Sequence, residues 1–172
     1  MQRLPAAVGS AVFFLVAPGV VAGLLPWLIT RWRLDVSSPI DLVRVFVGLG
    51  LAAGATGLLL AAFARFAAEG RGTPAPVAPT ERLVVGGAYR SVRNPMYLDV
   101  LLIILGQALA FASLALVLYA LVAWAAMASF VRFVEEPRLA SPYGEAYEQY
   151  RRSVPPWRPR FSPWSPPRTP PR

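Results

Sequence analysis

Apolar residues occupy this chain in long blocks, separated by short polar breaks and one long polar stretch. The first block, residues 6–29, is interrupted by Pro18, Gly19 and Pro26. At 1.5 Å per residue it is long enough to cross a hydrocarbon core of roughly 30 Å, and it predicts a kinked membrane helix. Trp27, Arg31, Trp32 and Arg33 follow, matching the rings and cations that collect at a membrane interface. Residues 35–39 then predict a short external turn. The second block, residues 42–66, predicts another span. Within it Gly50, Ala52, Ala53, Gly54 and Gly57 form a small-residue stripe suited to close helix packing.

The pattern breaks at residues 69–94, where Gly, Pro, Arg and Thr dominate and Pro74, Pro76 and Pro79 exclude a helix. Loops of this length are uncommon unless functional; the competing reading is a flexible linker. The last block, residues 97–134, is too long for one span and predicts two short helices of about 27 Å each. A tight turn near Ala112 and Ser113 makes them a hairpin. Tyr143, Tyr147 and Tyr150 recur at helical spacing, which predicts a short amphipathic helix on the membrane surface. From Pro155 onward the proline-rich tail is expected to be extended and partly disordered.

Composition strengthens the membrane reading: 56% of the residues are hydrophobic and 15% charged, a balance unsuited to a soluble domain. A cleaved signal peptide is the alternative for the first block, but that block exceeds a usual apolar core and further segments follow. All 17 basic residues are arginine, and His and Cys are absent. That excludes Cys/His zinc sites, thiolate nucleophiles, disulfides and an imidazole base. The net charge of +8 invites a nucleic-acid reading, yet the arginines flank apolar runs instead of lining a soluble face. Four spans place Arg3, Arg65, Arg71, Arg82, Arg90, Arg93 and the tail arginines on one side. The positive-inside rule makes that side cytoplasmic, with both termini there, in a multi-pass protein of a bacterial inner membrane.

Two places carry candidate chemistry. Asn94 and Pro95 read as an N-cap and first helical residue, and a helix N-terminus beside Arg93 can hold a carboxylate or phosphate. Glu135 and Glu136 stand before Pro137, at the expected end of the fourth helix, where the helix dipole disfavours negative charge. Arg132, one turn earlier, can pair with either carboxylate; alternatively one carboxylate holds a cationic group of a ligand. A hairpin brings both places to one membrane face, where a zwitterion would fit.

Gly72-Thr73-Pro74, Leu83-Val84, Gly87-Ala88-Tyr89-Arg90, Arg93-Asn94-Pro95-Met96-Tyr97, Glu135-Glu136-Pro137 and Tyr143-Gly144 through Tyr150 together resemble the isoprenylcysteine carboxyl methyltransferase family. The related phospholipid methyltransferases share this C-terminal pattern. The resemblance runs in order over residues 72–159. It implies that S-adenosylmethionine binds between the loop and the hairpin, at Leu83, Val84, Tyr89, Asn94, Pro95, Met96, Tyr97 and Glu135, with Arg93 and Glu136 as further contacts. Three departures stand out. Asn94 replaces the His of eukaryotic relatives, Asp99 replaces a glycine, and the arginine that holds the substrate carboxylate falls at Val131, with Arg132 next to it as the substrate-binding candidate. Asp99 is either functional, as an ionisable residue in a membrane helix, or interfacial and unremarkable.

The sequence therefore predicts an all-α integral membrane protein with about four transmembrane helices. Residues 1–68 form an anchoring pair, residues 69–154 the methyltransferase core and residues 155–172 the tail. The expected activity is S-adenosylmethionine-dependent methyl transfer, carboxyl O-methyl transfer by resemblance, to a lipophilic substrate entering among membrane lipids. Nucleic acid and metal are not expected, and a monomer is favoured. The alternatives are an NAD(P)H-dependent reductase, since sterol reductases resemble the family in their C-terminal helices, and a non-catalytic lipid-binding scaffold.

Overall fold

The computed structural model describes residues 16–70, 83 and 85–165, with side chains for 16–65, 83 and 85–165. Arg3, Arg71, Arg82, Val84, the Gly72-Thr73-Pro74 motif and tail residues 166–172 lie outside the described residues. Among the described residues every regular element is a helix. We number them α1, Val16–Thr30; α2, Pro39–Gly70; α3, Pro95–Ala110; α4, Leu114–Phe130; and α5, Glu136–Ser153.

By length and composition two segments can cross a membrane, Pro39–Arg65 and Leu114–Ser153, the latter kinked at Gly144 (φ 48°, ψ −124°), while α1 and α3 are shorter apolar helices. The 16 residues of α3 rise about 24 Å, less than the length expected from the sequence. Only 28% and 22% of the most apolar windows of the two longer segments are buried against the rest of the chain. Phe46, Leu58, Leu118 and Val122 accordingly point outward, an arrangement that lipid favours and water penalises.

The kink expected in α1 is a π turn at Val20–Leu24. Its cause is local: Pro26 has no N–H to offer the Ala22 carbonyl four residues back. Other helices satisfy the released carbonyls. Gln107 Nε2 of α3 donates to the Ala22 oxygen at 2.7 Å, and the Tyr119 hydroxyl of α4 donates to the Val21 oxygen at 2.8 Å. The Trp32 indole N–H then donates to Gln107 Oε1 at 3.1 Å. The bend is therefore the point at which α1 docks.

Helices α2 and α3 pack antiparallel through a contact centred on Gly48 and Gly106, outside most of the small-residue stripe. A Cβ on Gly48 would lie 2.6 Å from the Gly106 oxygen, and one on Gly106 would lie 2.7 Å from the Gly48 oxygen. Of the expected stripe, Ala52 touches this crossing, but Gly50, Gly54 and Gly57 face open space. Farther along, Leu59, Val100, Leu101, Ile104, Ala120 and Ala123 fill the core with Ala22. At the opposite end from Tyr97, Arg44 Nη1 donates to the Leu109 and Ala110 carbonyls at 3.0 and 2.6 Å, satisfying the C-terminus of α3. The chain then reverses at Phe111, Ala112 and Ser113, where the sequence expects a turn. Ala112 takes φ 48°, and Ser113 Oγ accepts from the Leu116 N–H at 3.3 Å.

The fourth helix does not end before Pro137. It continues through a π turn, Val131–Glu135, into α5. The wider winding opens the ladder where the proline ring would otherwise crowd a carbonyl. The dipole penalty expected for Glu135 and Glu136 does not arise, because no helix terminus lies there. Helix α5 is amphipathic as expected, burying Tyr147 and Tyr150 while Glu145 and Arg152 are exposed. The tail beyond it is extended, but residues 154–165 are docked along residues 89–94. The Arg93, Arg160 and Trp164 N–H groups donate to the Pro155, Ser91 and Arg90 carbonyls at 3.0, 2.9 and 2.8 Å.

Candidate functional site

Ahead of α3 the chain turns through a 3₁₀ segment, Gly87–Arg90. Gly87 has φ +55°, a left-handed conformation that favours glycine, and a Cβ there would make the Arg65 side chain shift. The turn sets Tyr89 over the end of the bundle, where the Tyr150 hydroxyl donates to the Tyr89 carbonyl at 2.7 Å. Burial pushes the Tyr89 phenol above its ordinary pKa, and the Glu135 carboxylate adds to the shift. Tyr89 therefore remains protonated across physiological pH.

Asn94 occupies the N-cap position of α3 and Pro95 the first helical position, as the sequence predicts, but the Asn94 side chain does not cap. Asn94 has φ −121° and ψ 57°, and its Nδ2 donates to the Pro156 carbonyl of the tail at 3.2 Å. Among the described residues no side-chain hydrogen bond caps the first turn of α3.

Arg93 and Glu136 form a nearly buried pair. Arg93 Nη1 lies 2.7 Å from Glu136 Oε1, and each side chain is 10% exposed. Arg93 Nε also donates to the Val154 carbonyl at 2.8 Å. Arg132 and Arg151 approach the other oxygen of Glu136 at 3.3 and 3.4 Å. Arg93 and Glu136 thus satisfy each other. The expected pairing of Arg132 with a carboxylate is present, but its side chain is 68% exposed, and Arg132 lines neither cavity described below.

Glu135 is placed differently. Its Oε2 accepts from the Tyr97 hydroxyl at 3.1 Å, while no hydrogen bond is found to Oε1 among the described residues. Two adjoining cavities share Glu135, Tyr89, Arg93 and Asn94 as a common wall. One, of about 250 Å³, extends among the helices, where Pro18, Val21, Leu59, Phe63, Met96, Val100 and Met127 make it largely apolar. The other, of about 90 Å³, is lined by Leu83, Val131, Glu136, Leu139, Tyr147 and Tyr150.

The structure therefore gathers Leu83, Tyr89, Arg93, Asn94, Met96, Tyr97, Glu135 and Glu136 around these cavities. Pro95 is buried beneath them and lines neither. Asp99 is also buried, at 8% exposure, outside both linings. Sequence reading missed the apolar lining from α1, α2 and α4, which only the fold brings together. It also missed Trp157, whose ring centroid lies 6.4 Å from that of Tyr97 and 6.3 Å from that of Trp124. A tryptophan set among prolines in an otherwise polar tail was the available signal.

Residues 43–146 match the family model described as phospholipid methyltransferase. That match begins in the first turns of α2 and ends within α5. No curated protein and no solved structure matches the chain.

Proposed function

Because the chain belongs to the phospholipid methyltransferase family, we propose that its paired cavities transfer a methyl group from S-adenosylmethionine to a lipid acceptor drawn from the bilayer. Family membership carries the coarser statement, a membrane methyltransferase acting on a lipid-like substrate. The observation that carries the rest is the shared wall of Tyr89, Arg93, Asn94 and Glu135 between a small cavity and a larger apolar one.

The residues fit a zwitterionic sulfonium donor. The Glu135 carboxylate, with one oxygen held by Tyr97, suits a cationic group. The first turn of α3, which the Asn94 side chain leaves uncapped, offers N–H groups and partial positive charge to a carboxylate. Tyr89 and Tyr97 add ring faces that favour cations. When bound, the donor supplies an electrophilic methyl group.

The protein's task is then to align donor and acceptor and to exclude water. The small cavity would hold the donor and the apolar cavity the acceptor's hydrocarbon. Arg93, the only arginine among the described residues in either lining, is committed to Glu136 and the Val154 carbonyl. A carboxylate acceptor would therefore lack a dedicated counter-ion, and a headgroup amine or hydroxyl fits better than the carboxyl chemistry that the first resemblance suggests. In this reading four membrane helices place the site at the cytoplasmic face.

Calorimetric titration of the detergent-solubilised protein should show saturable binding of S-adenosylmethionine and none of NADPH. Incubation with membrane extract and isotopically labelled donor should then yield a labelled lipid, identified by mass spectrometry. Binding of NADPH in place of the donor would transfer the site to reductase chemistry. Binding of neither would leave a scaffold.

A further inference from the structure

Residues 153–160 form a closed loop. Arg160 Nη1 donates to the Ser153 carbonyl at 2.7 Å, seven residues back, and the Arg160 N–H donates to the Ser91 carbonyl at 2.9 Å. The limb leading into the loop is fixed to the start of α3. The Val154, Pro155 and Pro156 carbonyls accept from Arg93 Nε, the Arg93 N–H and Asn94 Nδ2 at 2.8, 3.0 and 3.2 Å. Pro155 and Pro156 also restrict φ, so three consecutive carbonyls are presented by a stiff segment. Trp157 follows immediately.

The indole is neither a surface ring nor part of the bundle core. It is half-buried, with its centroid 6.4 Å from the Tyr97 ring at 44° and 6.3 Å from the Trp124 ring at 72°. These are aromatic contacts of ordinary attractive geometry. Tyr97 is thereby held from two directions, by Glu135 at its hydroxyl and by Trp157 beside its ring. A tyrosine in the first turn of a helix has other staggered side-chain orientations open to it, and most of them carry the hydroxyl away from Glu135.

We infer that Trp157 is a positioning residue: clasped by Arg93, Asn94 and Arg160, it holds the Tyr97 ring so that the phenol meets Glu135 at the wall of the cavity. This rests on the methyltransferase reading for its kinetic consequence but not for its structural one. Loss of the indole frees the Tyr97 ring, and the shared wall becomes mobile without losing any group that lines it.

The test uses full-length protein labelled with 3-fluorotyrosine in nanodiscs, with Trp157→Ala and Trp157→Phe compared to the native chain. Tyr97→Phe assigns the fluorine resonance of Tyr97. Trp157→Ala should shift and broaden that resonance while leaving that of Tyr119, near the opposite end of the bundle, in place. Trp157→Phe should restore most of the native position. In the transfer assay Trp157→Ala should lower kcat about tenfold or more, with KM for the donor changed less than threefold, and Trp157→Phe should recover most of the loss.

An unmoved Tyr97 resonance in Trp157→Ala would overturn the inference. So would a loss of all tyrosine resonances in both variants, which would show a general role in folding. If the resonance moves as expected but the native protein binds no S-adenosylmethionine, the positioning role stands and the methyltransferase reading falls.

Discussion

Glu135 and Glu136 are adjacent acids with different surroundings. Glu136 faces three guanidinium groups and is nearly buried against Arg93, whereas Glu135 receives one phenol hydrogen bond at a cavity wall. Glu136→Gln leaves the Arg93 charge buried without its partner, and such losses cost about 3 to 5 kcal/mol. Arg132→Ala removes only the most exposed of the three guanidinium groups around Glu136 and should cost less than about 1 kcal/mol. A clear drop in thermal midpoint for the first variant, and almost none for the second, is the expected result. Tyr97→Phe should keep the fold and lower methyl transfer roughly ten- to hundred-fold, the effect of losing a hydrogen bond to a charged group. Steady-state kinetics on the labelled lipid product would measure this. The acid pair was legible in the sequence, as was Arg132 four residues before Glu136. The division of roles was not, because Arg93 and Arg151 reach Glu136 only once the helices are assembled. Asn94 shows the same limit: its N-cap position was readable, but its real partner is a carbonyl 62 residues away.

Among the helices, the turn at residues 111–113 and the short amphipathic helix follow directly from periodicity. The helix crossing does not. Several glycines on α2 satisfy the same small-residue pattern, and sequence alone does not say which face meets α3. The structure selects Gly48 against Gly106. Gly106→Ala should destabilise by about 1 to 3 kcal/mol through overpacking against backbone. Gly54→Ala, in open space, should be neutral or stabilise by up to about 1 kcal/mol through helix propensity. Thermal unfolding of both variants in one detergent makes the comparison, and equal destabilisation would contradict this crossing. Pro137 exposes another limit of pattern reading. Proline commonly marks a helix end, and a π turn that lets it pass leaves no signature in a single sequence.

Over the whole molecule, an outward apolar surface and two helices long enough to cross a bilayer describe a membrane protein. The chain has no cysteine, so single cysteines can be introduced on a silent background. With the cytoplasmic orientation proposed above, Arg158→Cys should react with an impermeant maleimide only after cell lysis, and Arg33→Cys should react on intact cells. The reverse pattern would invert the topology. The all-helical, membrane-type architecture was legible at this scale because lipid imposes simple rules on length and composition. Among the described residues, however, only two of the four expected spans have the length to cross. The docking of the tail was not. Proline-rich composition speaks against a helix and says nothing about whether an extended segment finds carbonyl and amide partners elsewhere.

That docking gives the protein an order of events in time. The docked segment, residues 154–165, follows α1 through α4 along the chain, so with the four membrane helices proposed above a ribosome delivers them to the bilayer before Trp157 has been synthesised. The helices can insert and pack while the cavity wall is still unfinished. With the function and orientation proposed above, activity would then begin with the late docking of residues 154–165 against residues 89–94, and not with membrane insertion itself.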